Sequence, residues 1–309
     1  MSAVLRLDGQ VVLVTGAGGG LGRAYAQELA RRGAHLVVND IKAEAASEVV
    51  DEIRAGGGSA LVNTDSVADP DGCAAMVAAT LAQFGRIDGL VCNAGTISIA
   101  PFQETRQETL SALLNVHLGG AFHLAQAVWA PMSAQGGGHI VFTTSSAGMF
   151  GMPQLSAYGA AKGAVAGLMG VLAEEGRSLG IRCNAVMPNA ASGMTAEIGR
   201  SARGEGGLGP NPWVADALAT FDPRFTAALV AWLLHPDCPS THGIYSVAAG
   251  RMARVCTAPV PGWHGPLDRP PTLEEIAAHW AEICDPGGGV EVPANAYDEF
   301  RIVAESRLR

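Results

Sequence analysis

Tyr158 and Lys162 lie four residues apart, and Ser145 precedes the tyrosine by thirteen. On a helix, a spacing of four puts the phenol and the ammonium on one face. A phenol titrates near ~10, so alone it is a poor proton acceptor at neutral pH. A fixed ammonium beside it stabilises the phenolate and lowers that value. Ser145 can hydrogen-bond the same substrate oxygen. Together the three can move a proton on or off an alcohol while a hydride leaves or arrives.

A hydride needs a carrier, and Thr15–Gly22 (TGAGGGLG) supplies the place for one. Gly16, Gly20 and Gly22 allow a tight turn and close approach to a pyrophosphate resting on a helix N-terminus. Gly19 and Leu21 complete the candidate contacts. Asp40 follows Gly22 by eighteen residues, at the end of a second strand. A carboxylate there accepts hydrogen bonds from ribose hydroxyls and repels a 2′-phosphate, which favours NAD over NADP. Its plainer reading is a cap for the next helix. Lys42 and Arg23 are close enough in sequence to leave some NADP use open. Asp65-Ser66 follows the third strand, where Asp65 reads either as a partner for the adenine amino group or as a loop Asx-turn. Asn93-Ala94-Gly95 is a tight turn after the fourth strand, and Pro188 ends the sixth.

The elements that must hold these residues alternate. Short apolar runs over 11–15, 35–39, 60–63, 87–92, 139–144, 181–187 and 243–247 read as seven buried strands. Helical stretches over 21–32, 43–55, 71–84, 109–130, 156–178 and 223–234 lie between them. This order predicts an α/β doubly wound Rossmann fold, a seven-stranded parallel sheet with helices on both faces. The helix over 156–178 is lined with Gly and Ala, which implies close packing against another helix, internal or in a second subunit. Residues 1–250 form the expected domain. Within it, 190–222 is rich in Gly and Pro and reads as a mobile substrate loop. Residues 251–309 form a Pro-rich C-terminal extension, packed on the domain or on a neighbouring subunit, with one helical piece over 272–284.

The 309 residues are 48% hydrophobic, 16% charged and include 40 glycines, a balance that suits a compact enzyme. The net charge of −9, with no basic cluster, argues against nucleic-acid binding. Six scattered cysteines without a CxxC pair read as reduced structural thiols in a cytoplasmic protein. His235 and Cys238 have HxxC spacing but no second ligand pair, so no metal site is expected. No signal segment or membrane-spanning run is evident.

The glycine run at 15–22, the Asn93-Ala94-Gly95 turn, Ser145, and Tyr158 with Lys162 occur in the order and spacing of the short-chain dehydrogenase/reductase family. The chain resembles that family over about residues 8–250. The resemblance implies that Tyr158 is the general acid/base, that Lys162 lowers its pKa and holds the nicotinamide ribose, and that Ser145 orients the carbonyl or alcohol. It also implies a homodimer or homotetramer. Gly16–Tyr25, Val38–Asp40, Phe84–Asp88, Val116–Leu118, Pro188–Ala190, Met194-Thr195, Trp280 and Ile283–Asp285 are similar to one branch. That branch is the (3R)-hydroxyacyl-CoA dehydrogenase domain of peroxisomal multifunctional β-oxidation enzymes, also known as 17β-hydroxysteroid dehydrogenases. The substrate implied is an acyl-CoA, with a steroid or another ketone as the alternative. A non-catalytic nucleotide-binding protein is the remaining reading.

The pattern departs from the family in places. Cys92 stands where the turn usually has Asn. His117 takes the position of the family's catalytic Asn, and reads either as part of a proton relay or as a buried structural histidine. No glycine-rich insertion follows Asp40, and Pro188-Asn189 replaces Pro-Gly.

Overall fold

The computed structural model describes residues 5–190, 221–287 and 289–306. The chain divides into two compact units, Met1–Arg254 and Val255–Arg309.

The first unit is built on a sheet ordered β3-β2-β1-β4-β5-β6-β7-β8. Its strands are β1 (Val11–Thr15), β2 (His35–Asn39), β3 (Ser59–Asn63), β4 (Gly89–Cys92), β5 (Gly138–Thr143), β6 (Ile181–Asn189), β7 (Gly243–Ala248) and β8 (Arg251–Val255). β1 to β7 run parallel, in the register Val11 to His35, Val12 to Gly89 and Gly138 to Ile181. The expected count of seven strands is therefore one short. Only Ala249 and Gly250 separate β7 from β8, both at positive φ, 47° and 83°. Two such residues make a tight hairpin, so β8 runs antiparallel beside β7. The predicted domain boundary at 250 cuts through this hairpin.

Helices cover both faces, because the central strands β1, β4 and β5 are buried on both sides. α1 (Gly20–Arg31), α2 (Ala43–Ala55) and α8 (Pro223–Leu233) bury Tyr25, Leu29, Val49 and Val230 against one face. α3 (Pro70–Phe84), α5 (Gly120–Ala134) and α7 (Ser156–Gly176) bury Met76, Leu124, Val128 and Met169 against the other. α3 starts where Asp69 caps the Asp71 N–H with Pro70 in the first turn, and ends at Gly85, φ 76°.

The predicted helix over 109–130 is not continuous. α4 (Gln107–Leu114) passes into a single π turn, Asn115–Gly119, before α5 begins. The extra residue in that turn bends the hydrogen-bond ladder and turns His117 inward, 3% exposed. The small-residue face of α7 has an internal partner at its N-terminal end. A Cβ on Gly148 of α6 (Ser146–Phe150) would lie 2.7 Å from the Gly163 nitrogen. Farther along, Gly167 faces open space.

In the second unit, α9 (Leu273–Ala278) opens with a capping box between Thr272 and Glu275. α10 (Trp280–Ile283) follows, and α11 (Ala296–Ser306) is a further helix absent from the sequence expectation. Trp263 stacks on His279 at 4.4 Å between ring centroids. The expected substrate loop, 190–222, lies almost wholly outside the described residues.

Candidate active site

The strand order reverses between β1 and β4, and the candidate residues meet at the carboxyl ends of the strands beside that reversal. The first wall is the turn from β1 into α1. Gly16 has φ 61°, and a Cβ on it would sit 2.8 Å from the Ala94 Cα. Gly16 thus lets two turns touch. Asn93 locks the contact: its Nδ2 donates to the carbonyls of Thr15 at 2.9 Å and Gly16 at 3.2 Å. The Thr15 hydroxyl accepts from the backbone N–H groups of Asn93 and Ala94, both at 3.0 Å. Thr15 was not singled out in the sequence, since a strand-ending threonine carries no distinctive signal.

Gly19 caps α1 with no side-chain partner for the helix's first N–H groups, and a Cβ on it would meet open space. Donors without side-chain partners at the start of the 12-residue α1, beside a glycine turn, suit a pyrophosphate. Gly20, at φ 51°, and Leu21 follow in the first turn. The Asp40 carboxylate accepts from the Gly18 N–H at 3.0 Å and from the Lys42 N–H at 3.0 Å. It closes a turn ahead of α2 rather than capping that helix, whose N-cap is Lys42 with no side-chain cap bond, and it ties the glycine turn to β2. Arg23 pairs with Glu52. Asp65 belongs to a polar knot: Asn63 Nδ2 donates to its carboxylate at 2.7 Å, and Asn39 Nδ2 to its carbonyl at 2.9 Å. The Ser66 hydroxyl accepts from the Ala68 N–H at 3.2 Å. Pro188 lies in β6, in register with Val247.

The second wall is β5, α6 and α7. Ser145 ends β5's extension and caps α6, accepting from the Ala147 N–H at 3.2 Å. One lone pair is committed there, so the hydroxyl hydrogen remains for another partner. Tyr158 is 8% exposed and rests in an apolar cluster with Leu113, Leu155 and Ala161. Burial pushes its phenol upward, and the interaction with the Ser145 hydroxyl lowers it. Lys162 is 4% exposed; its Nζ donates to the Thr143 carbonyl at 2.7 Å and lies 5.8 Å from the Tyr158 ring centroid. Burial brings the ammonium down to about 7. The Thr144 hydroxyl donates to the Lys162 carbonyl at 2.9 Å, which pins α7 to β5.

His117 closes the back of the site. Its ring meets that of Tyr158 edge-on, 5.4 Å between centroids, and its Nε2 is 2.8 Å from the Thr96 carbonyl. Burial, with Lys162 adding repulsion, holds its pKa down at about 3. Burial thus keeps the ring in its neutral form near neutral pH. Ser145, Tyr158, Lys162 and His117 thus form one group, and Gly16, Asn93, Ala94 and Gly95 border it.

Among the described residues no cluster of His, Cys, Asp or Glu could hold a metal, and no helix is long and apolar enough to cross a membrane. His235 and Cys238 close a helix end: the Cys238 N–H donates to the His235 carbonyl at 2.9 Å.

A Rossmann sheet carrying a glycine turn and a Ser-Tyr-Lys group defines a class of oxidoreductase. The family model described as short chain dehydrogenase matches residues 10–202, and the chain belongs to that family. It is 39% identical over 288 residues to a Mycobacterium tuberculosis protein named as a short-chain type dehydrogenase/reductase, covering 90% of this chain and 95% of that one. It is 37% identical over 301 residues to the peroxisomal multifunctional enzyme type 2 of Mus musculus, covering 92% of this chain but 38% of the mouse enzyme. The structure of the full-length Drosophila melanogaster enzyme of that name superposes with a TM-score of 0.79 at 30% identity, over 98% of this chain and 50% of that one. A 7α-hydroxysteroid dehydrogenase complexed with NADH and 7-oxo glycochenodeoxycholic acid superposes with a TM-score of 0.70 at 28% identity, over 79% of this chain and 95% of that one.

Proposed function

We propose that this short-chain oxidoreductase uses NAD to interconvert a secondary alcohol and a ketone, with (3R)-3-hydroxyacyl-CoA as the alcohol and 3-ketoacyl-CoA as the product. The observation that carries the chemistry is the grouping of Ser145, Tyr158 and Lys162 beside the glycine turn. The likeness to peroxisomal multifunctional enzymes supports the acyl-CoA.

The residues present fit a dinucleotide. The glycine turn leaves room where a Cβ would collide, and the α1 N-terminus has donors without side-chain partners. Gly16, Gly19, Gly20 and Leu21 would hold the pyrophosphate, Asp40 the adenosine ribose, Asp65 and Ser66 the adenine side, and Asn93 to Gly95 with Pro188 the nicotinamide side. Asp40 has lone pairs beyond its two backbone bonds, and Arg23 is drawn to Glu52; both favour NAD over NADP. Bound nicotinamide would supply the hydride acceptor for oxidation.

The chain's own part is proton handling. Ser145 donates its hydroxyl hydrogen, which faces the Tyr158 phenol before substrate binds, to the substrate oxygen. Tyr158 takes the hydroxyl proton as the alcohol is oxidised and returns it in reduction. Lys162, charged, stabilises the phenolate through the few ångströms of low-dielectric interior between them. Ile97, Ile99 and Met152 pack around the Tyr158 cluster and provide an apolar flank for an acyl chain. The same flank, with the likeness to a hydroxysteroid dehydrogenase, favours a steroid as the second reading.

The experiment is NADH formation with (3R)- and (3S)-3-hydroxyacyl-CoAs and with 17β-hydroxysteroids. Selective turnover of the (3R) thioesters is expected. Turnover of free steroids alone would discard the acyl-CoA and keep the fold and the proton chemistry.

A further inference from the structure

The amino ends of the strands, opposite the candidate active site, border a cleft of about 220 Å³. Part of its wall is backbone alone. A Cβ on Gly137 would lie 2.5 Å from the Gly180 carbonyl oxygen, and one on Gly180 would lie 2.5 Å from that of Gly136. The two turns that lead into β5 and β6 therefore touch, and no side chain fills the space beside them. The charged groups stand on the other walls. Asp88 is fully engaged, since it accepts from the Val11 N–H at 2.8 Å and from the Arg86 guanidinium at 2.6 Å. Arg182, at the start of β6, has no carboxylate partner among the described residues. Its one hydrogen bond, to the Pro236 carbonyl, is long at 3.4 Å. Arg86 and Asp88 cancel, so Arg182 leaves the cleft positive in a chain whose total charge is −9.

His139, at the start of β5, also lines the cleft. Its Nδ1 lies 3.0 Å from the Leu233 carbonyl, a group that can only accept, so Nδ1 carries a hydrogen. Burial, with Arg182 adding repulsion, holds the ring neutral, its pKa down at about 4. Nε2 is then an acceptor. Among the described residues it has no partner, yet it is not sealed off as a buried orphan. The cleft thus offers guanidinium donors and one acceptor.

We propose that this cleft binds inorganic hydrogen phosphate: Arg182 and Arg86 donate to its oxygens, and the ion gives its own hydrogen to Nε2 of His139. The acceptor narrows the choice of anion. Sulfate has the same shape and charge but no hydrogen to give at neutral pH. A phosphate monoester loses its last hydrogen above a second pKa of ≈6. The free ion at pH 7 to 8 keeps one hydrogen beside its negative oxygens. A guanidinium without a carboxylate partner is the group that suits those oxygens, through charge-assisted hydrogen bonds.

The test is isothermal titration calorimetry of the full chain with sodium phosphate at pH 8, with ionic strength held constant by sodium chloride. A Kd at or below ~1 mM is expected, with sodium sulfate bound roughly tenfold more weakly. Arg182→Gln removes the unpaired charge. Gln10→Glu keeps the shape of a residue on the cleft wall whose hydrogen bonds are made by its backbone, and adds a carboxylate. Each variant should weaken phosphate by roughly tenfold or more while the thermal midpoint and NADH affinity stay near the parent's. The glycine turn at the other end of the sheet is a second place for phosphate, so the titration is repeated with NADH present, and unchanged phosphate binding is expected. No binding to the parent, equal binding of sulfate, competition by NADH, or indifference to both substitutions overturns the proposal.

Discussion

Lys162 does not point its hydrogen bond at Tyr158; the ammonium lies 5.8 Å from the ring centroid and donates to the carbonyl of Thr143. Its influence on the phenol is one of field. Field effects are strong here because both side chains are buried.

Replacing Tyr158 by Phe keeps the ring in its cluster with Leu113 and Leu155 and removes the transferable proton. Turnover should fall by ~10²–10⁴, the usual worth of a general acid/base. Nucleotide affinity, read by fluorescence titration with NADH, should change less than threefold, within the ~0.6 kcal/mol of one RT. Equal loss of both would make Tyr158 a structural residue.

The Lys162 charge sets a pH dependence of folding. Its folded pKa is about 7 against an ordinary 10.5, so between these values the unfolded chain holds a proton that the folded chain has released. Stability should rise with pH across that window, by up to ~1.4 kcal/mol per pH unit from this group. Lys162→Met should flatten that rise in urea titrations from pH 7 to 10, and an unchanged slope would refute it.

The same sign extends to acid pH through two buried histidines. His117 is held at about 3 and His139 at about 4, against 6.5 when unfolded. His139 keeps its Nδ1 3.0 Å from the Leu233 carbonyl, deep in the sheet's other end. As pH drops below 6.5 the unfolded chain gains protons that the folded chain refuses, and stability is lost progressively toward pH 4 and 3. Each ring should contribute up to ~1.4 kcal/mol per pH unit. His139→Gln should halve the slope attributable to the pair, measured as the shift of the urea midpoint from pH 6.5 to 5.

Asp40→Ala should relax the preference for NAD, measured as the ratio of kcat/KM with NAD to that with NADP. It should also lower the thermal midpoint, because it frees the Gly18 and Lys42 N–H groups that the carboxylate now satisfies. A changed midpoint with an unchanged ratio would leave Asp40 as a tie between the glycine turn and β2 only.

Gly148→Ala tests how tightly α6 lies on α7. The added methyl would meet backbone at 2.7 Å, at the Gly163 nitrogen, where nothing can swing aside. A loss of ~1–3 kcal/mol is expected from overpacking. A neutral result would mean that the two helices have slack.

Most of the frame was legible because β1 to β5 are short, largely apolar and each followed by a helix. The grouping of Ser145, Tyr158 and Lys162 was legible because a period of four and one sheet edge suffice to bring them together. The π turn was not, since Asn115 to Gly119 have the composition of any helix and the bulge is set by tertiary packing. Thr143 and Thr15 were missed for a similar reason: their roles lie in backbone groups they meet only after folding. β8 was missed because Arg251, Met252 and Arg254 are outward-facing and lack the apolar run of the buried strands. α11 has an amphipathic pattern, but the Pro-rich context of 250–309 obscured it.

The hairpin at Ala249-Gly250 decides where this chain can be shortened. β7 lies inside the sheet only because β8 pairs with its free side. A fragment ending at residue 250 would lay bare a row of unpaired N–H and C=O groups along Gly243–Ala248. Such fragments should self-associate through that edge, whereas fragments retaining 251–255 keep two arginines, Arg251 and Arg254, on the outermost strand, and like charge keeps copies apart.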